Sequence, residues 1–256
     1  MAADGEVRVE RRGPVAWVTL DRPPLNLLVP ALIDRMHAAF AALAGDPAVR
    51  VMVLAGGGRG FTAGMQVEAL QVLTPATAKP FAEGLHAMIR TVHEAPCVTV
   101  AMIHGPCLGA GFELAMACDL RVAAMDAVLG LPEVRVGVPS MIEAALLPAL
   151  VGPGRAAEML LAAERVGAGQ ALAWGLVNRA VARPDLRGAT EALVGAVLAG
   201  GPAAVRVQKE LIVRWRNTDL RTAIDYGVNA FALSFATGEP QEAMQAFLEK
   251  RPPRPA

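Results

Sequence analysis

Apolar positions along the chain fall into runs with a strand period and runs with a helical period. "VAWVTLD" at 15–21 and "VRVMVLAG" at 49–56 are short and rich in β-branched residues. They flank "VPALIDRMHAAFAALAGD", in which Leu32, Met36, Phe40 and Leu43 recur at helical spacing. The order predicted is strand, helix, strand. Thr74 and Pro75 make a cap and first-turn pair for a further helix, which runs through "AKPFAEGLHAMIRTVHE" and stops before Pro96. "CVTVAMIHG" predicts a buried strand and "LRVAAMDA" one more, after which the pattern turns helical almost to the end.

Strands alternating with helices first, and helices alone last, predict an α/β core through about residue 190 and a helical segment without a sheet of its own. "LAGGPAAV" at 198–205 marks the joint, so the expected organisation is a core over 1–197 and a helical region over 198–256. The apolar residues of "NAFALSFATGEPQEAMQAFLEK" read as a docking surface for the core or for a neighbouring chain. The tail "RPPRPA" is too rich in proline to continue a helix.

Composition narrows the partners. At 256 residues and 54% hydrophobic, the chain has ample material for a compact globule. Lys plus Arg and Asp plus Glu balance at 24 each, which gives no signature of a nucleic-acid surface or a polybasic membrane patch. A small molecule or another subunit is the expected partner. Mean hydropathy is +0.40, yet every long apolar stretch is interrupted by a charge, a His or a Pro, so no membrane span is expected. The start, "MAADGEVRVERRG", lacks the apolar run of a secretory signal, and no export is expected. Cys97, Cys107 and Cys118 have apolar neighbours and no CxxC spacing, as buried thiols in a reducing cytoplasm would. His37, His86, His93 and His104 show no ligand spacing, so no metal is expected. The bias toward Arg over Lys points to a GC-rich bacterial genome.

The candidate chemistry lies in "HGPCLGAGFELAMACD" at 104–119. Gly109 and Gly111 follow a predicted buried strand and precede "FELAMA", so the chain turns tightly into a helix. The first N–H groups of that helix have no intrahelical acceptor and favour an anion or a carbonyl oxygen gaining negative charge. Glu113, in the first turn, would point into the same pocket. Twenty residues on, "LGLPEVRVG" presents Glu133 among apolar neighbours, beside Pro132. Two carboxylates in an apolar cleft act as acid and base, because desolvation and repulsion favour one protonated and one ionised member.

Other readings of the same residues stand beside this one. Glu113 also fits as a plain complement to a helix N-terminus, and Glu133 as a solvated loop residue. "GAGFEL" after a strand resembles the start of a dinucleotide fingerprint, but Leu114 occupies the place of its third glycine. A second glycine turn follows the strand in "VRVMVLAGGGRGFTAGMQVEAL", and its "FTAGM" is a candidate second donor for an oxyanion hole. No GxSxG elbow occurs, and Ser140 and Ser234 lie in no nucleophile motif.

Together these motifs resemble the crotonase family, also called the enoyl-CoA hydratase/isomerase family, over nearly the whole chain. "VTLDRPPLNLL" is similar to its opening strand and turn, "VRVMVLAGGGRGFTAG" to its first oxyanion segment and "HGPCLGAGFELAMACDLRVAA" to its second. "LGLPEVRVGVP" follows at the family's distance, and "AFLEKRPP" resembles its closing signature. The resemblance implies an α/β core of repeated ββα units with a C-terminal helical region that assembles trimers or hexamers. It implies an oxyanion hole from the backbone N–H groups of Met65 and Ala110, and a substrate pocket of Leu25, Ala63, Gly64, Gln66, Leu108, Gly109 and Pro132. Glu113 and Glu133 fall where the family's hydratases carry their catalytic glutamates. The implied reaction is reversible hydration of a 2-enoyl-CoA without a cofactor, CoA arriving with the substrate; Arg22 and Arg59 fit equally as contacts to its phosphates and as ordinary surface charges. An isomerase, a carnitinyl-type dehydratase and a non-catalytic acyl-CoA-binding protein are the alternatives. Met65 where a small residue is common, Gln66 where Asp is usual, and "VRVGVPSMIEAALLP" where many hydratases are glycine-rich are this chain's departures.

Overall fold

The computed structural model describes residues 4–252, and every structural statement concerns that span. The larger sheet contains β1 (Glu6–Arg12), β2 (Val15–Asp21), β3 (Val51–Gly56) and β4 (Val98–Ile103). After β5 (Pro106–Leu108), the strand β6 (Leu120–Ala124) returns to it. β7 (Val128–Gly130) and β8 (Arg165–Gly167) precede β9 (Arg179–Val181), which closes the order β1-β2-β3-β4-β6-β9. β1 runs antiparallel to β2 and every other pair in this sheet is parallel. The smaller sheet has the order β5-β7-β8.

The connections are helical, as parallel strands require. α1 (Pro30–Ala44) joins β2 to β3, and α2 (Val67–Gln71) and α3 (Pro75–His93) join β3 to β4. Thr74 and Thr77 close a reciprocal cap at the start of α3, as the Thr-Pro pair predicts. α4 (Ala110–Ala117) follows β5 and is buried at every residue, which suits its nearly unbroken apolar sequence. α5 (Leu147–Val151), α6 (Pro153–Leu161) and α7 (Ala168–Ala173) lead to β9, and α8 (Leu186–Leu198) lies beyond it.

Side-chain alternation divides the core between the two faces of the sheet. Ala16, Val18 and Leu20 of β2, Met52 and Leu54 of β3, and Ala101 and Ile103 of β4 join the apolar faces of α1, α3 and α4. Val15, Trp17, Val51, Val53, Val98 and Val100 point the other way, toward Leu186 and Val194 of α8. The chain advances by giving one segment to the large sheet and turning a corner into the small one: β4 continues into β5, and β6 into β7. In the β3 repeat the second segment is reduced to a bridge between Thr62 and Cys107. This mixed α/β core with C-terminal helices is the fold class expected.

Five strands escape the sequence pattern: β1, β5, β7, β8 and β9. β1, "EVRVERR", is exposed along almost its whole length and carries charges suited to a sheet edge, so it shows no buried face. The expectation of helix alone after "LRVAAMDA" is corrected by β7, β8 and β9. Each has three residues, too few for a period, and each is fixed by its partner, as when Val122, Ala123 and Ala124 pair with Arg179, Ala180 and Val181.

α9 (Pro202–Trp215), α10 (Leu220–Ser234) and α11 (Glu239–Leu248) complete the chain, and Pro253–Ala256 of the proline-rich tail lie outside the described residues. Lys209 of α9 is buried and its Nζ lies 2.6 Å from Asp119, which also accepts from the Thr99 N–H and hydroxyl of β4. Glu239 opens α11 and accepts from Ala203 and Ala204, setting a carboxylate on the N-terminus of α9. Phe231, Leu233, Phe247 and Leu248 on α10 and α11 are all more than two-thirds exposed, a surface uncovered by the chain's own core.

Candidate active site

Two glycine turns meet at the C-terminal ends of neighbouring parallel strands β3 and β4, where open α/β sheets place their ligand sites. The Leu108 N–H donates to Thr62 O at 3.0 Å, so the segments 62–65 and 107–110 run side by side. Gly64 has φ +88, and a Cβ there would lie 2.8 Å from Leu108 O and 3.5 Å from Gly109 Cα. Gly109 has φ +55, and its Cβ would lie 2.5 Å from Glu133 Oε1. Only glycines permit both the conformation and the approach.

Each turn has one N–H that its own backbone pattern leaves unused. Met65 bridges Leu28 through Leu28 N–H to Gly64 O and Gln66 N–H to Leu28 O, a pattern that turns the N–H of Met65 itself away from its neighbour. Ala110 is the first residue of α4, where an N–H has no intrahelical acceptor. Ala63 donates to Leu25 O at 3.0 Å, bringing Leu25 against the same turn. Gly109 N–H donates to Gly130 O at 2.9 Å, two residues before Pro132.

Glu113 stands in the first turn of α4, 3% exposed. Its Oε1 accepts the Ala144 N–H at 3.1 Å. Burial first, and then the neighbouring Glu133 carboxylate, push the Glu113 carboxyl up from 4.5 to about 8. Backbone donation from Ala144 and Ile142 opposes this rise without cancelling it. Burial and the neighbouring carboxylate thus favour the protonated form of Glu113.

Glu133 reaches the same place from another element. It begins a short 3-10 turn, Glu133–Val136, which ends at Gly137 in a left-handed conformation. That reversal brings Ser140 back, and its hydroxyl donates to Glu133 Oε2 at 2.6 Å while Oε1 faces Gly109. The structure thus joins the two glutamates that the sequence separates by twenty residues. Ser140, in contact with Glu133, is passed over by sequence reasoning, because six intervening residues and a glycine-dependent turn hide its partner.

Further contacts fix the rim. Asn26, buried and at φ +52, donates from Nδ2 to Gly57 O at 2.7 Å and Gly60 O at 2.9 Å, which pins the first glycine loop. Arg22 donates to Gln66 Oε1 at 2.6 Å, so the Gln66 departure gives Arg22 a neutral acceptor beside Met65. Arg59 is exposed on the glycine loop. Burial pushes the free thiols Cys97 and Cys118 up to about 11 and about 12, which leaves them protonated and unsuited as nucleophiles. A cavity of about 290 Å³, lined by Pro47, Arg50, Cys97 and Arg206 among others, lies at the joint before α9 and shares no residue with the glycine turns.

Residues 10–254 match the family model described as enoyl-CoA hydratase/isomerase. The chain is 35% identical over 246 residues to crotonyl-CoA hydratase of Syntrophomonas wolfei, 95% of each protein being covered. It is 32% identical over 248 residues to short-chain-enoyl-CoA hydratase of Clostridium acetobutylicum, covering 96% of this chain and 95% of that one. The solved structure of an enoyl-CoA hydratase from Mycobacterium smegmatis superimposes with a TM-score of 0.94 at 32% identity, over 97% of this chain and 98% of the other.

Proposed function

The chain belongs to the enoyl-CoA hydratase/isomerase family, and from that premise we propose that it adds water reversibly across the double bond of a 2-enoyl-CoA, with Glu113 and Glu133 as the catalytic pair. The observation that carries this is their convergence on the paired glycine turns: Glu133 Oε1 against Gly109, and Glu113 on the helix which that glycine starts.

The substrate's thioester oxygen sits between the N–H groups of Met65 and Ala110, two donors fixed by backbone and indifferent to side-chain identity. As negative charge moves onto that oxygen, each well-aimed donor contributes on the order of 3 kcal/mol to the transition state. An ionised glutamate takes a proton from water, and the water oxygen bonds to the β-carbon. The π electrons shift through the α-carbon to the thioester oxygen, giving an enolate. The protonated glutamate then delivers its proton to the α-carbon as the enolate collapses to 3-hydroxyacyl-CoA. The proton total is conserved: one glutamate has gained what the other has lost. Dehydration runs the same steps with the roles exchanged. The Ser140 hydroxyl holds Glu133 Oε2 and the Ala144 N–H holds Glu113 Oε1, so both carboxyls are oriented for the reaction.

The proposal extends to a homotrimer or a hexamer built from it, supported by the uncovered apolar residues of α10 and α11. It places the enzyme in the cytoplasm, supported by the three buried free thiols. Incubation with short, long and branched enoyl-CoAs, with products identified by mass spectrometry, tests the reaction. Gain of one water by at least one of them supports hydration, and double-bond migration without gain of mass contradicts it.

A further inference from the structure

The segment after Glu133 carries a third carboxylate that the hydration steps do not use. Glu143 opens the 3-10 turn Glu143–Leu146, packs against α4 and is 7% exposed. Its Oε1 lies 2.7 Å from Nδ1 of the half-exposed His86 on α3. Its Oε2 is buried with no hydrogen-bond partner among the described residues. A buried carboxyl with one satisfied oxygen is unfavourable for stability, and a single bond to a half-exposed histidine is weak compensation.

The next residue connects this carboxyl to the reaction. Ala144, adjacent in sequence, supplies the N–H that holds Glu113 Oε1. His86 anchors the turn to α3 through the Glu143 side chain, and the turn's backbone presents that donor to α4. Two effects of opposite sign thus reach Glu113 from one dipeptide. The Ala144 N–H favours the Glu113 carboxylate, while negative charge on Glu143 disfavours it. The ionisable groups around them are His86 and Arg90 of α3, Glu113 of α4 and Glu133 of the preceding turn. α5, packed on the other side, contributes none.

We propose that Glu143 and His86 are a positioning pair for Glu113: His86 anchors the turn whose Ala144 N–H holds the Glu113 carboxyl, and the half-satisfied charge of Glu143 sets the field in which Glu113 exchanges its proton. The pair rests on the hydratase reading for its catalytic consequence, but its effect on Glu113 exists in the free protein. Glu143→Gln keeps the shape and the contact with His86 while removing the charge, and Glu143→Asp keeps the charge.

The test is an infrared pH titration of the free protein, following the carboxyl band that disappears in Glu113→Gln. In Glu143→Gln the midpoint of that band falls by roughly half a pH unit or more, and in Glu143→Asp it stays closer to the wild type. Steady-state hydration in Glu143→Gln loses kcat severalfold while KM stays near the wild-type value. His86→Ala takes from Glu143 its one side-chain partner, so it is assayed below its own melting temperature; it shows the same split between kcat and KM and gives a second route where Glu143→Gln fails to fold. Wild-type midpoints in both Glu143 variants, or unchanged kcat in His86→Ala, overturn the proposal. A wild type that hydrates no enoyl-CoA, with the midpoint shift intact, overturns the hydratase reading and upholds the pair.

Discussion

Glu133 Oε1 occupies the space in which a side chain at Gly109 would begin: a Cβ on that glycine would be 2.5 Å from the oxygen. The Glu133 carboxylate and the glycine turn are therefore packed as one feature, built from residues 24 positions apart.

Gly109→Ala tests this directly. The new methyl displaces Glu133 and also strains a backbone at φ +55. The strain costs about 1–3 kcal/mol, and the displaced carboxylate should lower kcat about 10²-fold or more. Urea unfolding and steady-state hydration measure the two losses separately. A variant with normal kcat would show that Glu133 works from another position.

Ser140→Ala leaves Glu133 in place and removes one hydrogen bond to it, at 2.6 Å. A hydrogen bond to a charged group is worth about 1.5–3 kcal/mol, so kcat should fall about tenfold or more with little change in KM. The kinetic comparison of wild type and variant on one enoyl-CoA supplies the check.

The raised Glu113 carboxyl makes a prediction about stability with a definite sign. Its folded value is about 8 against an ordinary 4.5, so between those limits the folded state binds more protons than the unfolded one. This contribution to stability is complete below about pH 4.5 and is lost as pH rises toward 8. Glu113→Gln cannot ionise and escapes the loss. Its Tm should exceed that of the wild type at about pH 8.5, and the gap should close toward about pH 5. Thermal melts across pH read this without any substrate, and a gap that is constant or grows toward acid would contradict the neutral resting state of Glu113.

Away from the site, Lys209 and Asp119 form an ion pair with side chains 4% and 14% exposed, tying α9 to the strand region. Lys209→Ala leaves the partly buried Asp119 carboxylate with only its Thr99 donors and should cost about 2–3 kcal/mol in urea unfolding. A loss under about 1 kcal/mol would mean that water reaches Asp119 freely.

Phe231→Asp and Phe247→Asp place charges on the exposed apolar faces of α10 and α11. Sedimentation velocity should show a trimer or hexamer for the wild type and smaller species for the variants. A wild-type monomer would remove the assembly from the account.

The sequence showed most of what depends on periodicity or on glycine and little of what depends on distant pairing. α1, α3, β2, β3 and β4 are legible because each is long enough to display its period and buries one side or both. β9 has three residues and becomes a strand only because β6 lies beside it. Glu113 is conspicuous as a charge in an otherwise apolar helix, and Glu133 as a charge beside Pro132. Ser140, Glu143 and His86 carry no such signal, because a serine after proline, a glutamate in "SMIEAALLP" and a histidine on an amphipathic helix are all ordinary at those places. Their importance comes from tertiary contacts: 2.6 Å from Ser140 to Glu133, and 2.7 Å from His86 to Glu143.

The most direct measurement is the steady-state hydration of crotonyl-CoA, or of whichever enoyl-CoA the substrate panel shows to be hydrated, by wild type, Glu113→Gln and Glu133→Gln side by side. It is followed by loss of the enoyl thioester absorbance and by the mass of the product. The account predicts a 3-hydroxyacyl-CoA from the wild type and a fall in kcat of about 10²-fold or more in each folded variant. Turnover unchanged in both variants would contradict it.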